Sequence, residues 1–300
     1  MSIHSTLKIG VFDSGFGGLT VLRELLRAIP AAHFLYVGDT ARLPYGAKSH
    51  ATIARYAVES AVFLESRGAQ MLVIACNTAT ALALEDIRAA VRIPVVGVIQ
   101  PGAHAAADAI RANQEKSAQE KAAVRLSVRA AEELERDSSH ADVLVLATAA
   151  TVQSHAYRGA CAEVGLRATE KPCPLLVPLV EEGWIDHPVT LDVLRIYVSE
   201  ALADCAPQVV LLGCTHYPLI ASPIEHTLRM LGCSATVVDS AHATAAAVAR
   251  ELTIRNLFSA ASHPSTFECF ATDSIEKFQR LGSLFLSQPI EHIHLLDLGG

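Results

Sequence analysis

Val209 to Pro218 reads VVLLGCTHYP. Its apolar run stops at Gly213 and is followed at once by Cys214, Thr215 and His216. An unbroken Val/Leu run that ends so sharply marks a strand buried on both faces, and hence a parallel sheet. Polar residues placed directly after such a run lie at the carboxyl end of the strand. Met71 to Ala79, MLVIACNTA, repeats the device with Cys76, Asn77 and Thr78.

Working outward, the strand-then-helix unit recurs about eight times. Strands are expected over Lys8 to Phe12, Phe34 to Val37, Val95 to Ile99, Asp142 to Ala147, Leu175 to Val180 and Ala235 to Val238, besides the two that carry cysteines. Helical patterns lie at Leu19 to Ile29 and, approximately, at 52–66, 80–90, 154–164, 189–203 and 243–252. Pro101-Gly102 reads as a break. The Ala-rich, charge-rich stretch from Ala103 to Ala141 reads as one or two exposed helices. Phe267 to Phe270 and the terminal segment have no clear assignment. The expected fold is α/β: two pseudo-symmetric, doubly wound domains with mainly parallel sheets, facing each other across a central cleft.

Composition narrows the function. With 51% hydrophobic and 18% charged residues, the 300-residue chain can fill large cores. A net charge of −7 and the lack of a basic block with interleaved aromatics argue against nucleic-acid binding. No apolar run approaches the 18 or so residues of a membrane span, and no secretory signal is expected. The seven cysteines include no CxxC pair, so a reduced, cytoplasmic chain without a structural metal is expected. Asp13-Ser14-Gly15-Phe16-Gly17-Gly18 forms a glycine-rich turn after the first strand but does not fit GxGxxG, so no dinucleotide site is expected.

Two cysteines at matched strand tips suggest one reaction in particular. Racemisation removes a proton from one face of a carbon and returns one to the other, and the two groups exchange roles when the reaction reverses. Two like thiols meet that need without a cofactor. Cys161, Cys173, Cys205, Cys233 and Cys269 lack polar flanks and read as small buried hydrophobes. Three other readings use the same residues. Cys214 and His216 could form a nucleophile pair. Cys76, Cys214 and His216 could ligate zinc. The cleft could also serve a non-catalytic amino-acid-binding or partner-binding protein.

The chain resembles the glutamate racemases of the aspartate/glutamate racemase superfamily. The resemblance rests on DSGFGGLTVL from Asp13, GDTARLPYGAKS from Gly38, ACNTATALAL from Ala75, PVVGVIQPGA from Pro94, PLLVPLVEEGW from Pro174 and LGCTHYPLI from Leu212, in that order and over nearly the whole chain. It implies a cofactor-independent interconversion of L- and D-glutamate that supplies peptidoglycan synthesis, with an aspartate racemase as the alternative. It also implies that Cys76 and Cys214 are the two proton donor/acceptors. Asp13 stands near the first thiol, and His216 and Glu181 (or Glu182) assist the second. Ser14, Pro44, Tyr45, Gly46, Asn77, Thr78, Thr151 and Thr215 are the implied substrate contacts, together with Asp13 and His216. The implied domains are 1–100 plus 238–300, and 101–237, with a helical insertion near 113–140. A homodimer is expected, with no activation by a cell-wall precursor. One departure stands out: the family usually has Gly where this chain has Ala147.

Overall fold

The computed structural model describes residues 6–124, 142–257 and 264–298. Two parallel sheets organise them. The first strand, β1 (Lys8–Asp13), leads through the glycine-rich turn into α1 (Leu19–Ala28). Next come β2 (His33–Gly38), the single helical turns Thr40–Arg42 and Tyr45–Ala47, and α2 (His50–Ser66). β3 (Met71–Ile74), α3 (Asn77–Ala90), β4 (Val95–Gly97) and α4 (Ile99–Val124) complete this part. The second sheet begins at β5 (Val143–Ala147), followed by α5 (Ala149–Ser154), α6 (Ala156–Glu163), β6 (Ala168–Pro172), α7 (Leu176–Glu181) and α8 (Pro188–Asp204). β7 (Val209–Gly213), the turn Tyr217–Ile220, α9 (Ala221–Met230) and β8 (Thr236–Asp239) finish it. The chain then runs through α10 (Ala241–Ile254), β9 (Thr266–Ala271), α11 (Ile275–Leu286) and β10 (Ile293–Leu295).

The first sheet has the order β10-β9-β2-β1-β3-β4 and the second β6-β5-β7-β8, with every pairing parallel. The period-two rule of strands sorts the core. Val11, Tyr36 and Val73 face one cluster, whereas Phe12, Val37 and Ile74 face another. In the second sheet, Leu146 and Leu212 join the first of these clusters, and Val145 and Leu211 point to the opposite side. One apolar layer therefore runs continuously between the sheets. Both sheets are covered on both faces, which is why their central strands read as unbroken apolar runs.

Several elements differ from expectation. Leu175 to Val180 forms a helix rather than a strand, α7, with Leu176 and Val180 buried one turn apart. Pro178 fits because it lies in the first turn, where its missing N–H has no helical partner to lose. For the same reason Pro101-Gly102 is no break and lies in the first turns of α4. That helix is continuous to Val124, and its first half is buried through Ala103, Ala106, Ala107 and Ile110, so it is not an exposed element throughout. The rest of the expected insertion, from 125 to 140, lies outside the described residues. Strand β6 reads ATEKP and was not expected, since as an edge strand it needs no apolar run. The helix expected at 154–164 is α6, which starts after left-handed His155 (φ 55°), and the short helix α5 before it was not expected. Strand β8 crosses the expected boundary at 237/238 and lies wholly in the second sheet. The unassigned carboxyl-terminal segment supplies β9 and β10 to the first sheet, with β9 paired to β2.

Candidate active site

The carboxyl ends of β1, β3, β5 and β7 converge on a cavity of about 380 Å³. That lies within the usual range for small-molecule sites, about 300–1,000 Å³. Of the residues named from the sequence, Ser14, Pro44, Tyr45, Gly46, Cys76, Asn77, Thr78, Glu181, Cys214, Thr215 and His216 line it. Asp13 and Thr151 stand behind the wall and do not line it.

Cys76 follows β3 by two positions and is the N-cap of α3. Its Sγ accepts from the Ala79 N–H at 3.4 Å, and its thiol donates to the Ser14 hydroxyl at 3.4 Å. Burial, and after it the Asp13 carboxyl, push this thiol up to about 11 against the hydrogen bonds that favour thiolate. Asp13 is fully buried. Its Oδ2 accepts from the Gly15 N–H at 2.9 Å, and its Oδ1 has no partner. Burial raises its pKa, partly countered by His216.

Cys214 lies 4.0 Å from His216 Nδ1. Burial raises this thiol further than Cys76. His216 Nε2 is 3.3 Å from Glu181 Oε1, and Glu181 Oε2 accepts from Lys277 Nζ at 3.0 Å. It is thus Glu181, not Glu182, that contacts the histidine. Burial would lift Glu181, but its bonds to His216 and Lys277 hold it below the usual carboxylate range. An ionised carboxylate only accepts, so Nε2 carries the proton towards Glu181. In the neutral ring this leaves Nδ1 free to accept from the Cys214 thiol. Gly17 permits this arrangement: a Cβ there would collide with Thr215 Oγ1 and lie within 2.6 Å of His216 Nδ1.

Donors cover the rest of the wall. The hydroxyls of Thr78, Thr148 and Thr151 lie within 3.0–3.2 Å of one another, across the junction of α3 and α5. Asn77 accepts from the Tyr157 hydroxyl at 2.5 Å, and its buried Nδ2 has no partner. Tyr45 turns its hydroxyl away from the cavity centre, donating to Asp39 at 2.5 Å. Among the described residues no Lys or Arg lines the cavity, and no three His, Cys, Asp or Glu converge as a metal-ligand group.

Comparison with known proteins decides the family. A glutamate racemase from Koribacter versatilis is 45% identical over 97% of this chain and 98% of its own length. The chain belongs to the glutamate racemase family. It is thus an amino-acid racemase, an isomerase. The model of the Asp/Glu/Hydantoin racemase family matches residues 9–115. A glutamate racemase from Francisella tularensis, solved in complex with D-glutamate, superposes with a TM-score of 0.80 at 29% identity, covering 98% of both chains. A glutamate racemase isoform from Bacillus anthracis superposes with a TM-score of 0.82 at 30% identity, covering 98% of this chain and 99% of its own. Among the described residues no helix is long and apolar enough to cross a membrane.

The sequence reading missed three residues in or behind the cavity wall. Thr148 caps α5 and lines the cavity. Its signal was the one used for the cysteines: a polar residue directly after a buried strand. Lys277 and Phe285 come from α11, and Phe285 packs edge-on against His216 at 5.1 Å between ring centroids. No local pattern points from that helix to the cavity.

Proposed function

We propose that this chain interconverts L- and D-glutamate by a two-base mechanism in which Cys76 and Cys214 act on opposite faces of the α-carbon. The observation that carries the reading is the presence of both thiols in the lining of one cavity, each at a strand tip and each with its own polar support. Burial favours the protonated form of both thiols near neutral pH. The α-ammonium group of an amino acid adds a positive charge beside them, which favours thiolate at whichever cysteine faces the α-hydrogen. That thiolate takes the proton and the opposite thiol returns one. His216, polarised by Glu181, accepts and returns the Cys214 proton, while Ser14 and the Ala79 N–H favour the charged form of Cys76.

The two carboxylates of glutamate find neutral donors: the hydroxyls of Ser14, Thr78, Thr148 and Thr215, and the free amide hydrogens of Asn77. Donors fixed in advance also stabilise the charge that develops next to the α-carboxylate as the proton leaves. The product D-glutamate would serve peptidoglycan synthesis, with the enzyme acting as a cytoplasmic homodimer. Incubation with L- and with D-glutamate in heavy water tests the reading. It should give α-deuterated glutamate of both configurations from either enantiomer, and no exchange from either would overturn it. Aspartate run in parallel separates the sister activity, since one methylene is worth only about 1–3 kcal/mol.

A further inference from the structure

Helix α11 reaches the candidate active site at two points. Lys277 Nζ donates to Glu181 Oε2 at 3.0 Å and lies 5.5 Å from the centroid of the Phe16 ring in the glycine-rich turn. Phe285 meets the His216 ring edge-on. Lys277, buried Leu281 and Phe285 follow the i, i+4, i+8 stripe of one helix face. Between them Phe278 packs against Phe16 at 5.7 Å and Tyr36 at 6.0 Å, so the helix is anchored on the first sheet. Glu181, by contrast, stands at the end of α7 among the elements of the second sheet.

We propose that Lys277 is a positioning residue for the racemisation: its ammonium holds Glu181 in register with His216, so that His216 Nδ1 faces Cys214 and the Cys214 half of the proton relay is set by a helix anchored on the opposite sheet. The proposal depends on the two-base mechanism. Glu181 keeps one oxygen aimed at His216 while Lys277 holds the other. Once the ammonium is removed, Oε2 is free to turn the carboxylate towards water. The side chain of Glu181 is only 15% exposed, so the loss is felt within the site rather than at a solvated surface. The low pKa of Glu181 is in keeping with two cationic or donor partners.

The test exploits the two barriers of a two-base racemase. In each direction the α-hydrogen of the substrate is moved at the first thiol and a thiol hydrogen at the second. Weakening the Cys214 side makes its barrier dominate in both directions. In Lys277→Met, kcat/KM should fall about tenfold, the size of losing one charge-assisted hydrogen bond. The fall must be equal for both enantiomers, because their free energies are equal. With α-deuterated substrates, the primary isotope effect on kcat/KM should rise for the enantiomer deprotonated at Cys214 and drop for the other. Lys277→Arg should restore both quantities most of the way. If the wild-type protein racemises glutamate and Lys277→Met leaves the two isotope effects unchanged, or moves them in the same direction, the assignment to Lys277 is wrong while the two-base mechanism stands. The assignment also fails if Arg rescues no better than Met. If the wild type racemises nothing, the two-base mechanism has failed and the inference falls with it.

Discussion

The Tyr157 hydroxyl donates to Asn77 Oδ1 across the junction of the two sheets, at 2.5 Å and with both residues buried. Tyr157 belongs to the second half of the fold, and Asn77 follows the cysteine of the first. The bond fixes the amide so that its free Nδ2 is the group left for a ligand. Tyr157→Phe should therefore leave a buried carbonyl oxygen unpaired, at a cost of about 1–3 kcal/mol. Urea denaturation should show the loss, and KM for glutamate should rise because the amide is no longer held.

Cys76→Ala and Cys214→Ala should each reduce racemisation by a factor of about 10²–10⁴ or more, the usual weight of a positioned acid/base. Turnover followed by circular dichroism at saturating glutamate checks this. Full turnover in either variant rules out the two-base assignment.

Burial sets a pH dependence of stability whose sign follows from Cys76. Its folded value, about 11, lies above the ordinary thiol value of 9.0. The unfolded chain therefore loses its proton first as pH rises. The stability contributed by the neutral thiol is fully present below about pH 9 and is lost between 9 and about 11, at roughly 1.4 kcal/mol per pH unit. Cys161, raised to about 11, and Cys173 and Cys269, each raised to about 12, act in the same direction. Urea midpoints should fall between about pH 8.5 and 10.5, and Cys76→Ala should flatten the decline. The same burial predicts slow alkylation of the empty enzyme by iodoacetamide near neutral pH, since the thiolate is the reactive form.

Ala147 stands where the family usually has glycine, yet its methyl group belongs to the core cluster around Val145 and Tyr157 and does not line the cavity. Ala147→Gly should leave KM and kcat unchanged and lower stability by about 1 kcal/mol, through lost packing and a freer unfolded chain. Thermal denaturation beside a rate assay distinguishes this from a role in substrate approach, which would change KM.

Gly17→Ala should abolish activity with a smaller effect on stability. The added methyl group meets Thr215 and His216 at the cavity wall, and those side chains or the turn must shift to admit it. Loss of turnover in a variant that unfolds within a few degrees of the wild type is the expected result.

What the sequence revealed follows from where each element lies. β1, β2, β3, β5 and β7 are central strands covered on both faces, and such strands announce themselves as apolar runs. Their tips carry Ser14, Cys76, Asn77, Thr78, Cys214, Thr215 and His216, so most of the cavity wall was legible. Edge strand β6 carries Glu170 and Lys171, and its composition resembles a loop. The run around Leu176 to Val180 is too short for periodicity to separate helix from strand, and only its burial one turn apart decides. Lys277 was illegible for a different reason. It reaches Glu181 from 96 residues away in sequence, through a pairing that no local pattern encodes.

Strand β2 pairs with β9, matching His33 to Thr266, so the middle of the first sheet waits for a segment made long after it. A ribosome delivers residues in order, and until position 266 emerges β2 presents an unpaired edge that invites association with other chains. Helix α11, with Lys277, follows immediately after β9. The proposed brace on Glu181 is therefore in place only after position 277 has emerged, and a product truncated before it would hold both thiols but lack Lys277.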